Sequence, residues 1–475
     1  MINRNKELLR NTIILGVGQL VPKLLSLITL PVLTAYLTTS QYGTYDLILS
    51  IVSLLIPIIT LQIQQAVFRY LITSLNNEDR YLYVTNSLAY ILLSSVICLP
   101  IVFITLTITK INFTSSILIC FLLFAEALYN LLGQIVRGVG MNVKYSLSVI
   151  VYSVTNMLLI LVLIAYKGLG LHGVILSLLF SYLMADLYML YCSKIISYFK
   201  VYLLSKETIK QLLLFSAPII PSSISLWVVN LSDRLIIINY LGTGANGIYS
   251  VANKIPSVYN NAYNIFDLAW TETASRAIKD DDSAAYYSSL FSVLFNFLIG
   301  IMLMLIALTP IMFKFLVDEK YYLAYYQVPI LYFGVFFNSL VCFYSGIYIA
   351  LKRTKEVSYS SIIGAILNLL FNLIFIKHIG IYAASISTAV SYFAIVLYRA
   401  YDINKIINII YDLKNLLIGF ALFIISAILC YTTNLLCIAL CFVIAVLFNI
   451  KKNMFIIDKA ILMFKQKNSN KDKVE

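Results

Sequence analysis

Charge is scarce in this chain of 475 residues: Asp, Glu, Lys and Arg make up 12% of it, against 61% hydrophobic residues. A soluble domain of that size cannot cover so much apolar surface, so lipid must be the main solvent. Histidine is rarer still, with only His172 and His378, both in short connections. The cysteines (Cys98, Cys120, Cys192, Cys342, Cys430, Cys437 and Cys441) form no C-x-x-C pair, and most sit inside apolar runs as small core hydrophobes. Neither a metal centre, a disulfide framework nor a cofactor is expected. Long connections are missing too. The longest, around 194–210, is Lys-rich and too short for a domain, so function must be carried by the helices. Acid is in deficit, 21 residues against 34 Lys and Arg. In a membrane protein the resulting charge of +13 reports orientation and lipid contact rather than nucleic-acid binding.

What remains is apolar runs. The basic start MINRNKELLR precedes a run from Asn11 to about Leu37, too long for a signal-peptide core and without a small-x-small cleavage site. It reads as a retained first transmembrane helix. Further spans of about 20 apolar residues fall near 44–72, 84–109, 115–136, 144–166, 171–193, 211–240, 247–271, 284–315, 325–351, 357–377, 380–401, 414–431 and 434–450. The expected fold is all-α and membrane-integral, with about 14 spans and a basic tail at 451–475. With the N-terminus inside, Lys and Arg favour the inner connections by about five to one. Both termini are then expected in the cytoplasm.

The halves repeat. LTTSQYGTYDLILSI (37–51) lies over LGTGANGIYSVANKI (241–255), pairing Thr39 with Thr243, Gly43 with Gly247 and Tyr45 with Tyr249. SLLFSYLMADLY (177–188) likewise lies over STAVSYFAIVLY (387–398). The predicted domains are six-helix bundles at 1–203 and 204–405, two extra helices at 406–450, and the tail. An even helix number per repeat gives both halves the same orientation, related by an axis along the membrane normal, and places a substrate between them.

Polar residues fall in stripes. Asn253, Ser257, Asn260, Asn264, Asp267 and Thr271 recur every three or four residues, one face of a helix. Asp46, Ser50, Ser53, Thr60 and Gln64 do the same in the second span, with Pro57 interrupting. Gln19 and Lys23 in the first span, and Asn230 and Arg234 in the seventh, extend the pattern. Ser and Asn can simply glue helices together; four such faces are expected to line a hydrated cavity. Within it Lys23, Arg234 and Lys254 supply cationic charge suited to an anionic substrate. Asp233 and Arg234 point about 100° apart on a helix, so Asp233 is expected to pair with Lys254 and Arg234 to face the cavity. Glu126, Asp186 and Asp267 are deep carboxylates, either structural or able to carry a coupling proton. Arg69 and Arg137, at inner helix ends, can meet a lipid head group or anchor the interface.

The stretches SDRLIIINYLGTGANGIYSVANKI (232–255) and RGVGMNVKYS (137–146) resemble the polysaccharide transport family, the O-antigen and capsule repeat-unit flippases. That family shares a superfamily with multidrug exporters of the MATE type and lipid II flippases. The resemblance implies a MATE-like fold and no enzymatic activity. It implies translocation of an undecaprenyl-pyrophosphate-linked oligosaccharide across a bacterial inner membrane, with Asp233, Arg234 and Lys254 at the matching positions. The expected partners are that cargo, membrane lipids and a coupling ion, H+ or Na+, for a chain acting as a monomer beside a polysaccharide polymerase. A lipid II or teichoic-acid-type flippase is the near alternative. A multidrug exporter would want an acid in the first helix, where this chain has Lys23. A polymerase or lipid-dependent glycosyltransferase would want a large outer loop, and only the connection near 314–324 holds acids, Asp318 and Glu319.

Overall fold

The computed structural model describes residue 18 and residues 21–469, except 75, 110, 278–281 and 352; for 221–230, parts of 261–277, 354 and 455–469 it describes the backbone alone. Among the described residues the chain is helical, with no strand. The helices are α1 (Val21–Tyr36), α2 (Thr39–Thr60), α3 (Ile63–Thr73), α4 (Asn77–Ile108), α5 (Phe113–Gly138), α6 (Asn142–Ile160) and α7 (Gly170–Cys192). They continue with α8 (Lys206–Ser216), α9 (Ile220–Leu241), α10 (Thr243–Ala277), α11 (Ser283–Leu316), α12 (Val328–Ala350) and α13 (Thr354–Ile379). The last three are α14 (Tyr382–Asn404), α15 (Leu413–Tyr431) and α16 (Leu435–Ser469). The expected spans fall on helical segments where they are described, the first only from residue 21 on and the second as two helices, and 11 helices among the described residues are long and apolar enough to cross a membrane. The helices α9 and α10 are not among those 11; they carry Asp233, Arg234, Lys254 and Asp267. The α16 helix runs on to Ser469, so helix continues into the segment read from sequence as a tail.

By packing, the chain divides into two compact units, Met1–Ser250 and Val251–Glu475. That division is not the repeat boundary near 203. The first helix of the second repeat, α9, packs on the second helix of the first, α2, and so joins the first unit.

In the first unit the apolar core gathers Ile63, Val67, Leu71, Leu132, Ile135 and Met189 from α3, α5 and α7. Lipid is as apolar as these side chains, so close approach and polar contacts, rather than water exclusion, hold such helices together. Gly138 lets α5 come down on Leu71. The Lys-rich connection after α7 is pinned to α4: Thr85 donates to the Tyr198 carbonyl at 3.2 Å, and Asn86 donates to the Leu203 carbonyl at 2.9 Å. Thr38 caps α2 through a reciprocal exchange with Gln41, at 3.2 and 3.0 Å.

The second span is not one helix. Its break follows Pro57 rather than falling on it. Leu61 and Gln62 take left-handed conformations, φ 44° and 58°, and α3 restarts at Ile63. Thr60 accepts the Gln62 N–H at 3.2 Å, replacing a helical bond that the turn removes. Two non-glycine residues in that region cost about 1–2 kcal/mol each.

In the second unit a fully buried Arg399 ties α14 to α12 and α13. Its guanidinium donates to the Val341 and Val357 carbonyls at 2.8 and 3.1 Å and to Ser360, Ser345 and Ser361. Trp270 stacks on Phe343 at 4.7 Å, and its indole N–H donates to the Phe343 carbonyl at 2.9 Å.

Candidate transport site

The repeated segments that open α2 and α10 meet within the first unit. A β-carbon on Gly43 would overlap the Thr243 carbonyl, and one on Gly247 would overlap the Thr39 carbonyl. Thr39 and Thr243, like the two glycines, are repeat equivalents, so the crossing has local two-fold character. Only glycine allows backbones this close. The Ser40 and Thr243 hydroxyls share a hydrogen bond of 2.6 Å, and Asn246 donates to the Gly43 carbonyl at 2.8 Å.

Just inside this crossing the symmetry fails. Arg234 Nε donates to Asp46 Oδ2 at 2.7 Å, and Asn246 reaches the same oxygen at 3.5 Å. The repeat equivalents of this pair are Leu30 and Ser250, which cannot form it; both are buried. Asp46 lies seven residues into α2, and Arg234 seven before the end of α9. Each is therefore about 10 Å along its helix. The two side chains keep 11% and 19% of their accessibility, so the pair is shielded without being sealed.

Arg234 is thus held by an acid that the sequence reading placed on the polar stripe of α2 but did not pair with it. The signal was present: the equivalence of Gly43 and Gly247 marks where the repeats could approach. Asp233 is 5% exposed. Lys254 belongs to the second unit, and the expected pairing of these two remains a proposal.

The other predicted residues are distributed as follows. Lys23 is half-buried on α1. Ser53 donates to the Leu49 carbonyl of its own helix at 2.8 Å. Gln64, buried just beyond the α2–α3 break, donates to Gln62 Oε1 at 3.1 Å, while its own Oε1 has no hydrogen-bond partner among the described residues. Gln19 and the side chains of Asn230 and Asn264 lie outside the described residues. On α10, Asn253 and Asn260 are half-buried, Ser257 donates to the Lys254 carbonyl, and Asp267 accepts from Tyr263 at 3.3 Å.

The two deep carboxylates differ in their surroundings. Glu126 on α5 lies beside the Tyr182 hydroxyl of α7. Tyr182 in turn belongs to a ring cluster with Tyr129 and Tyr152, at 5.3 and 4.5 Å between centroids. Asp186, one helical turn beyond Tyr182, is 2% exposed, and neither carboxylate oxygen has a hydrogen-bond partner among the described residues. Arg137 lies over the rings of Phe68 and Tyr145 at 4.9 and 5.4 Å and donates to Gln134, a structural engagement. Arg69 is exposed. No cluster of His, Cys, Asp and Glu among the described residues could hold a metal.

Helices this long and apolar, with an ion pair and buried carboxylates among them, mark a multi-pass membrane protein. The chain belongs to the polysaccharide biosynthesis protein family, whose model matches residues 8–270. The MatE model matches residues 218–374. Both matches accord with the expected family of polysaccharide flippases and with a MATE-like fold. The fold is similar to that of the lipid II flippase MurJ in an inward closed conformation, with TM-score 0.72 and 14% identity over 94% of this chain and 100% of that one. It is also similar to a multidrug-resistance MATE transporter of the MOP superfamily. The inward-facing structure gives TM-score 0.66 and 15% identity over 82% of this chain and 98% of that one. The outward-facing structure gives 0.57 and 15% over 84% and 96%. Comparison with curated proteins finds no match.

Proposed function

We propose that this chain is a flippase that moves an undecaprenyl-pyrophosphate-linked oligosaccharide from the cytoplasmic to the outer leaflet of a bacterial inner membrane by alternating access. The observation that carries the reading is the Asp46–Arg234 pair, a guanidinium held within the membrane by a partly accessible carboxylate, in a member of a polysaccharide biosynthesis family. Arg presents a planar fork that matches phosphate oxygens as well as it matches a carboxylate. A cargo pyrophosphate is therefore a chemically equivalent replacement for Asp46. Exchange of one acceptor for the other lets cargo loosen the α2–α9 contact without leaving a bare charge behind. Lys23 and Lys254 add positive charge along the path, and the polar face of α10 accommodates hydroxyls.

The Lys and Arg bias supports termini in the cytoplasm, which sets the Gly43–Gly247 crossing toward the outer leaflet. Export of negative charge from a negative cytoplasm is favoured by about 2.3 kcal/mol per charge per 100 mV. Asp186, buried without a hydrogen-bond partner among the described residues, is the carboxylate best suited to carry a coupling proton. The test is surface-glycan display in cells dependent on this protein. The Arg234→Ala protein should reach the membrane and fail to restore display. Full display by that variant removes Arg234 from the cargo path.

One observation favours a second reading. The likeness to the lipid II flippase spans 94% of this chain, which supports a cargo that shares the lipid pyrophosphate but carries a cell-wall precursor sugar. Rescue of peptidoglycan synthesis in cells depleted of their own lipid II flippase would select that reading.

A further inference from the structure

The last two helices form a hairpin whose outer surface is basic at one end and apolar along its length. Thr433 sits in the turn, and Lys414 and Lys452 lie nineteen residues before and after it, so both reach the same level. A cleft of about 440 Å³ opens there between α15 and α16. Lys414, Lys451 and Lys452 stand at its mouth, and Ile418, Leu422 and Leu447 form its walls. Asp412 also lines it, but its carboxylate caps α15 by accepting the Asn415 N–H at 3.1 Å, leaving the lysines in excess. The positive end of the α15 dipole adds to the same field.

The cleft is a built feature rather than a gap between loose helices. Asn415 donates to Asn296 Oδ1 of α11 at 2.8 Å. Asn449 donates to the Gly300 carbonyl at 3.0 Å, and Asn453 to the Asn296 carbonyl at 3.1 Å. Gly300 leaves the space that these two asparagine side chains occupy. These bonds fix α15 and α16 against α11 and hold the cleft open between them. Only 28% and 17% of the two spans is buried in protein, so their outer faces border lipid.

We infer that this cleft binds an anionic phospholipid, with its phosphate on Lys414, Lys451 and Lys452 and one acyl chain along Ile418, Leu422 and Leu447. The chemistry selects the ligand. Three amines at membrane-surface level ask for a phosphate, while an apolar trough running from them toward the bilayer centre asks for a chain attached to it. A soluble anion would leave the trough unused, and a zwitterionic lipid would bring its own cation against the lysines. The site faces the surrounding membrane, where bulk phospholipid outnumbers any transported lipid. It is independent of the transport reading.

The full-length protein, delipidated in detergent, is offered phosphatidylglycerol, phosphatidylcholine or undecaprenyl phosphate, and retained lipid is counted by native mass spectrometry. The inference predicts selective retention of one phosphatidylglycerol. In the Lys414→Gln/Lys451→Gln/Lys452→Gln variant, retention should weaken on the order of a hundredfold, from about 1 kcal/mol per surface lysine. Lys200→Gln/Lys206→Gln/Lys210→Gln, in the connection before α8 and in its first turns, should retain it unchanged and controls for net charge. Equal retention by the triple variant, equal binding of phosphatidylcholine, or preference for undecaprenyl phosphate would each overturn the assignment.

Discussion

Gly43 and Gly247, equivalent residues of the two repeats, face each other at a crossing so close that neither could carry a β-carbon. One helical turn further along α2, Asp46 holds Arg234 of α9 at 2.7 Å. The first relationship obeys the repeat symmetry and the second breaks it. A symmetric hinge with an asymmetric charge is the arrangement from which the following expectations are drawn.

Closure of the crossing can be trapped. Ser40 and Thr243 approach to 2.6 Å through their side-chain oxygens, so a Ser40→Cys/Thr243→Cys variant should form a disulfide under mild oxidation. Transport should stop on oxidation and return with reductant. Gly43→Val should abolish the cross-link by forcing the helices apart. A cross-link that forms without affecting transport would show that the crossing stays closed throughout the cycle.

Removing one charge of the pair should cost more than removing both. Asp46→Ala leaves Arg234 without its carboxylate in a low-dielectric setting and should destabilise the protein by about 1–3 kcal/mol, reduced from the fully buried case because the pair is partly accessible. Asp46→Ala/Arg234→Met should melt closer to the wild type than Asp46→Ala alone, yet remain inactive. Thermal unfolding in detergent provides the comparison, and additive losses would mean that the two residues do not interact.

Asp186 should behave unlike a structural acid. With no donor among the described residues bonded to either oxygen, it contributes mainly a desolvation cost. Asp186→Asn should therefore leave thermal stability unchanged or raise it by about 1 kcal/mol. If the carboxyl carries the coupling proton, the same variant loses the dependence of transport on a pH gradient. Marked destabilisation would reveal a structural partner instead.

Arg399 is the opposite case. Buried and bonded to carbonyls and hydroxyls of α12 and α13, it acts as a clamp. Arg399→Ala should lower stability by about 2–4 kcal/mol through lost packing and bonds, whereas Arg399→Lys should recover part of this. Unchanged melting in Arg399→Ala would contradict the clamp.

Much of this architecture was legible in the sequence because membrane insertion demands long apolar runs and leaves a Lys and Arg bias in the connections. The repeat, too, was visible at Gly43 and Gly247. Three features were not. The break at Leu61 and Gln62 carries neither Gly nor Pro at the left-handed positions, so local propensity gave no warning beyond the nearby Pro57. The partner of Arg234 lies 188 residues away in sequence, and nothing local distinguishes an arginine that faces a cavity from one that reaches a carboxylate on another helix. Sequence cannot distinguish a guanidinium in lipid head groups from one enclosed by serines, as Arg399 is. Helical periodicity reports which face is polar; it does not report which polar faces meet.

The most direct test is reconstitution. The purified protein in liposomes carrying an inside-negative potential should translocate an undecaprenyl-pyrophosphate-linked oligosaccharide faster than protein-free liposomes do. Arg234→Ala should reduce translocation to the protein-free rate. Translocation by wild type no faster than the protein-free control, or by Arg234→Ala as fast as wild type, would contradict a pyrophosphate-lipid flippase that works through this arginine.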